Sequence, residues 1–85
     1  MPEVKVGIIT HRFQKIQVAV LKATDSDLAV GDAIHIVGRE TDHTQPVESM
    51  QVEHNRIEKL ERGGEAGLRV TGPVHDGDVV FKVVP

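Results

Sequence analysis

Val30-Gly31-Asp32-Ala33-Ile34-His35-Ile36-Val37-Gly38 is the stretch from which the fold of this chain is read. Gly31 admits a positive φ and Asp32 can hydrogen-bond its own backbone, so the chain is redirected there. Ile34 and Ile36 then alternate with His35 and Val37, the period-two signature of a strand with one face inward and His35 outward. The same punctuation recurs at Gly63-Gly64-Glu65 and Asp76-Gly77-Asp78. Upstream, Val4, Val6 and Ile8 alternate with Lys5 and Gly7, which predicts a strand ending near Thr10, followed by a hairpin connection over 11–14. Residues 15–22 read as the second strand, with Ile16, Val18 and Val20 on one face and Lys15, Gln17, Ala19 and Leu21 on the other.

Downstream of Gly38 a polar turn over 39–43 leads to 44–54, where the alternation slips. Val47 falls on one parity and Met50 and Val52 on the other, which predicts a bulge around 48–50, and Pro46, lacking a donor, suits an edge. Ile57 and Leu60 lie three apart among charged residues, predicting one helical turn over 55–62. Strands over 65–71 and 78–84 follow, with Leu68, Val70, Val79, Phe81 and Val83 as inward residues. Six strands in one short chain imply an all-β fold, a small six-stranded barrel closed to remove its edges.

The bulk composition narrows the chemistry. Eighty-five residues suit a single domain spanning 1–85, and its core is of fine grain: 39% of residues are hydrophobic, with two Phe and no Trp or Tyr. The absence of cysteine excludes disulfides, thiolate metal sites and thiol nucleophiles. Glu3, Lys5, His11, Arg12 and Lys15 interrupt the first residues, so neither a signal-peptide core nor an apolar span of about 18 residues is present. A cytoplasmic protein without membrane association is expected. The net charge is −3, with ten basic and thirteen acidic residues mixed along the chain, so no basic stripe supplies phosphate affinity. Protonating the five histidines would bring the charge from −3 to +2, so any polyanion binding should strengthen in mild acid.

Catalytic and metal patterns are not met. No Gly-Lys pair exists, which excludes a phosphate-binding loop and GTP hydrolysis by this chain. No two histidines share a local face, and a metal site would need distant residues such as His43 and His54 to converge. Ser26 and Ser49 lie in no nucleophile elbow, and the pairs Asp25/Asp27 and Asp76/Asp78 flank turns that explain them. The chain is therefore expected to be non-enzymatic, with no cofactor and no metal. The strongest local candidate for recognition is His11-Arg12-Phe13-Gln14-Lys15, which gathers positive charge, an imidazole and an aromatic ring. The blander reading has Phe13 capping the open end of the barrel while Arg12 and Lys15 stay solvated.

Taken in order, Gly7, Val30-Gly31-Asp32, Ile34-His35-Ile36-Val37-Gly38, Val47-Glu48-Ser49-Met50-Gln51, Gly64-Glu65-Ala66-Gly67-Leu68 and Gly77-Asp78 form a pattern that resembles domain two of elongation-factor GTPases. The GTPase domain that precedes it in those factors is not in this sequence. The resemblance implies a non-catalytic translation module contacting tRNA, rRNA or a translation-associated protein. Its implied contact residues are His11, Arg12, Phe13 and Lys15 in the first loop, and Glu48, Gln51 and His54 along the strand over 47–54. Gln51 stands where the aminoacyl-tRNA-binding members carry an acidic residue, keeping hydrogen-bonding capacity without charge. The same barrel also resembles accessory modules of U32-type peptidases and RNA-modification complexes. An alternative is therefore a protein-interaction barrel working in trans with an enzyme, which suits the acidic balance because protein partners need no positive field.

Overall fold

Strand β1, Glu3–Phe13, is the spine of the fold, and the computed structural model describes residues 2–84 around it. Its first part pairs with β10 (Val79–Val83) and its later part with β2 (Val18–Lys22), with a register shift between Lys5 and Gly7 on one side and between Ile9 and His11 on the other. Gly7 is required at this crossing, because a Cβ there would collide with the Lys22 carbonyl oxygen. The two shifts displace the expected alternation: Val6 and Ile9 are buried, while Val4 is exposed and Ile8 only half-buried. The hairpin connection also falls later than the sequence predicts. A 3-10 turn, Gln14–Ile16, makes it, closed by Gln17 in the left-handed region at φ 54°.

The remaining strands are β3 (Leu28–Ala29), β4 (Ala33–Val37), β5 (Asp42–Pro46), β6 (Met50–Val52), β7 (Asn55–Ile57), β8 (Lys59–Leu60) and β9 (Glu65–Arg69). Eight strands form one antiparallel sheet in the order β5-β4-β10-β1-β2-β9-β6-β7, and β3 pairs with β8 as a separate two-stranded sheet. The fold is therefore all-β, as expected. The closed six-stranded barrel is not found: β5 and β7 are the two ends of the ladder and do not pair with each other. Asp27 ties the small sheet to the large one, accepting from Lys82 Nζ on β10 at 2.8 Å and lying 3.2 Å from Lys59 Nζ on β8. These lysine contacts, Lys82 foremost, hold the Asp27 carboxyl below its ordinary range.

Where the ladder stops, a side chain takes over. Gln45 on β5 is 4% exposed; its amide donates to the Arg69 carbonyl at 2.9 Å and its oxygen accepts the Thr71 N–H at 2.8 Å. One buried amide thus does across this seam what a rung of backbone hydrogen bonds does elsewhere. His43 adds its Nε2, 3.0 Å from the Gln45 oxygen, and its ring lies where a Cβ on Gly72 would fall.

Inside this wrap sits one cluster of aliphatic side chains, including Ile9, Leu21, Leu28, Ile34, Ile36, Met50 and Leu68; neither Phe belongs to it. Full burial of such a side chain contributes about 1.5–3 kcal/mol. The predicted slip at 47–54 is real but takes another form. The chain breaks between β5 and β6, leaving Val47 and Met50 both buried, and Val47 exchanges backbone bonds with Gly31 and Asp32.

Two other expectations are corrected. In place of a helical turn over 55–62 there is a hairpin, β6 to β7, turning on Glu53 and His54, both at positive φ (50° and 67°), and then β8, whose Leu60 pairs with Leu28. A three-residue apolar spacing fits one turn of helix, but it also fits two short strands entering different sheets, and tertiary pairing decides. On β10 the inward residue is Val80 instead of Val79, Phe81 and Val83. Asp78 sets that parity by burying its carboxylate, which accepts the His75 N–H at 2.7 Å and occupies the space a Cβ on Gly38 would need. The ends of the chain lie side by side: Glu3 pairs with Val83, and Val84 N–H donates to the Pro2 carbonyl at 2.9 Å.

Candidate interaction surface

Register across the sheet decides what the predicted recognition residues can do. His11 pairs with Val20, Val20 with Gly67, Gly67 with Gln51 and Gln51 with Arg56, so these five form one row. Ala19, Leu21, Leu68 and Met50 fill the inward positions of the same strands, so the row lies on the outer face. A second row runs Phe13, Val18, Arg69. The structure therefore brings His11, Phe13 and Gln51 onto one surface, with His11 and Gln51 three strand spacings, roughly 14 Å, apart.

Phe13 does not cap the end of the core. It points outward, its ring edge-on to His11 with centroids 4.4 Å apart and an interplanar angle of 71°. Ile16 in the following turn is 62% exposed and Phe13 46%. Together with Arg12, Gln14 and Lys15 they line a shallow depression of about 510 Å³. Arg12 lies in register with inward-facing Ala19; its Nη1 donates to the Val74 carbonyl at 2.8 Å, and its buried Nε has no partner. Arg12 thus acts as a strut between β1 and the segment before β10 and, against the blander reading of this loop, is not freely solvated. Lys15 stays exposed, as do Glu48 in the bend before β6 and His54 in the β6–β7 turn, which projects beyond the two rows.

Sequence reasoning missed Val18, Gly67, Arg69 and Arg56. The signal was present in Gly67-Leu68-Arg69, where a buried Leu separates a glycine and an arginine on the opposite face. Only the strand pairing shows that this face continues into His11 and Phe13.

Several other polar groups hold loops and strands together. Ser26 Oγ donates to the Lys5 carbonyl at 2.8 Å, and Asp25 accepts the Thr24 hydroxyl at 2.6 Å, which with Lys5 nearby lowers its carboxyl. Asp76 approaches His11 at 3.9 Å, and His75 shares a hydrogen bond of 2.9 Å with Thr41. His35 lies between two carboxylates, with Nε2 2.5 Å from Asp42 and Nδ1 3.0 Å from Glu3; these contacts, Asp42 first, raise it above the ordinary histidine range. Among the described residues no group of three or more His, Asp or Glu is placed to hold a metal ion, and no helix is long and apolar enough to cross a membrane.

No protein-family model matches the sequence. An uncharacterised protease of Methanocaldococcus jannaschii is 30% identical over 80 residues, covering 93% of this chain; the chain spans 19% of that protein. The C-terminal domain of a Geobacillus thermoleovorans protein described as a U32 peptidase shares the fold, with a TM-score of 0.85 at 17% identity over 93% of this chain and 91% of that one. Its selenomethionine variant gives 0.82 at 16% identity over 89% and 95%. The elongation-factor resemblance is thereby corrected, and the translation role and the tRNA or rRNA partner it implied lose their basis. The six motifs report where small wrapped sheets turn, a requirement of backbone geometry that different families meet alike. What this chain is similar to is, in fold, the C-terminal domain of a protein described as a U32 peptidase and, in sequence over nearly its whole length, a fifth of an uncharacterised protease.

Proposed function

We propose that this chain is a non-catalytic accessory domain serving a peptidase of the U32 type, whether joined to it or acting in trans. The observation that carries this reading is the 30% identity with a protease over 93% of the chain, confined to a fifth of that protease's length. The fold of a U32 peptidase C-terminal domain supports it independently. A non-enzymatic role agrees with the polar inventory: Ser26, Asp25 and Asp27 are each engaged in holding loops and strands together. A cytoplasmic setting is part of the proposal.

The test is to mix the purified chain with a U32 peptidase from which the C-terminal domain has been removed, and to follow the mixture by size-exclusion chromatography and peptide hydrolysis. Co-elution, with no hydrolysis by the chain alone, is the expected result. Separate elution across roughly 0.05–0.5 M salt would overturn the partnership. Hydrolysis by the chain alone would overturn the non-catalytic assignment.

A further inference from the structure

The outer face of β1, β2, β9 and β6 brings exposed apolar and basic side chains together. Phe13 and Ile16 are, among the described residues, the most exposed large apolar side chains, at 46% and 62%, and Val18 and Val20 extend that surface into the sheet. The rows through Phe13 and His11 contain no carboxylate; the nearest acids are Glu65, which pairs with Lys22 in the next row of the same face, and Asp76, 3.9 Å from His11 at its edge. Lys15, Arg69 and Arg56 form no ion pair among the described residues, and neither do Lys22, Arg39 and Arg62, whereas Lys5, Lys59 and Lys82 are each paired with an aspartate. Glu48, exposed in the adjoining bend, pairs with none of them. At the middle of the face Gly67 presents no side chain. A Cβ there would lie 3.2 Å from Val18 Cγ1, so the glycine leaves a low floor between Val20 and Gln51. Glycine inside a strand is a place where another backbone can approach closely.

We infer that this face docks an acidic, apolar-bearing segment of a protein partner. An apolar side chain seats against Phe13, Ile16 and Val18, the segment's backbone crosses Gly67, and its carboxylates meet Arg69 and Arg56 in charge-assisted bonds. Nucleic acid fits less well, because one aromatic ring offers little stacking for successive bases. The inference rests on the chain's own surface and does not depend on the peptidase reading; its failure leaves that reading standing.

The experiment titrates the isotopically labelled full chain with a synthetic peptide of Glu, Asp and Leu around one Phe, and with its Lys-substituted counterpart, following amide shifts by NMR. Saturable shifts are expected for the acidic peptide alone, mapping to residues 11–20, 51 and 67–69, and weakening as salt rises. Phe13→Ser and Arg69→Glu should each lower the affinity at least about fivefold without moving the unfolding midpoint. Equal binding of the basic peptide, shifts mapping elsewhere, or no saturation at millimolar peptide would overturn the inference. Tighter binding of a single-stranded oligonucleotide would overturn it as well, by making this a nucleic-acid face.

Discussion

The seam at Gln45 and the hairpin end at Phe13 and Ile16 invert one another. At the seam a polar side chain is buried and its groups find partners in Arg69, Thr71 and His43; at the hairpin end apolar side chains stand in water with nothing over them. Burying an amide is tolerable only when its hydrogen bonds are made, so the seam's chemistry is explained by holding the sheet together. Exposed Phe13 and Ile16 contribute little to folding, and in the docking inference above they serve as its apolar contact.

The contrast breaks most readily at the seam. Gln45→Leu keeps the bulk but strands the Thr71 N–H and the Arg69 carbonyl, and about 3 kcal/mol should be lost in urea denaturation. A loss under about 1 kcal/mol would mean that water replaces the amide there. Gly72→Ala drives a methyl against the His43 ring on the same seam and should cost about 1–2 kcal/mol by the same measurement.

A smaller, pH-dependent effect is expected at His35. Its pKa is raised in the folded state by Asp42 and Glu3, so its contribution is fully present below the unfolded value of about 6.5 and fades as pH rises through the folded value. The melting temperature of His35→Gln should therefore fall below wild type near pH 5.5 and approach it near pH 8.5, values set roughly a unit or two either side of the transition. A difference that does not change with pH would show that packing, not charge, holds this histidine. At the hairpin end the effect should be smallest: Phe13→Ser and Ile16→Ser should each shift stability by no more than about 0.5 kcal/mol. A larger loss would place these side chains in the fold and dissolve the contrast.

Legibility from sequence followed the locality of the determinant. Ile34, His35 and Ile36 behaved as their alternation predicts, because β4 is regular and lies between two neighbours throughout. In β1 and β10 the parity failed, because two register shifts and the buried Asp78 reset it, and each depends on a neighbouring strand that no local period reveals. The turn at Glu53 and His54 carries no glycine to announce it, which is why Asn55–Ile57 was hidden within an apparent helical spacing. The candidate surface was half legible for the same reason. His11, Phe13 and Gln51 stand out as residue types, whereas Arg69 and Gly67 gain meaning only through pairing with β2 and β6.

The pairing of Glu3 with Val83 also fixes how this domain can be carried. A polypeptide joined beside residue 2 or residue 84 meets it at one edge, and β1 runs from that edge through two register shifts to Phe13. Attachment at one pole therefore leaves the other unobstructed. A connection made beside residue 2 or residue 84 would thus leave the tip at Phe13 and Ile16 open to solvent.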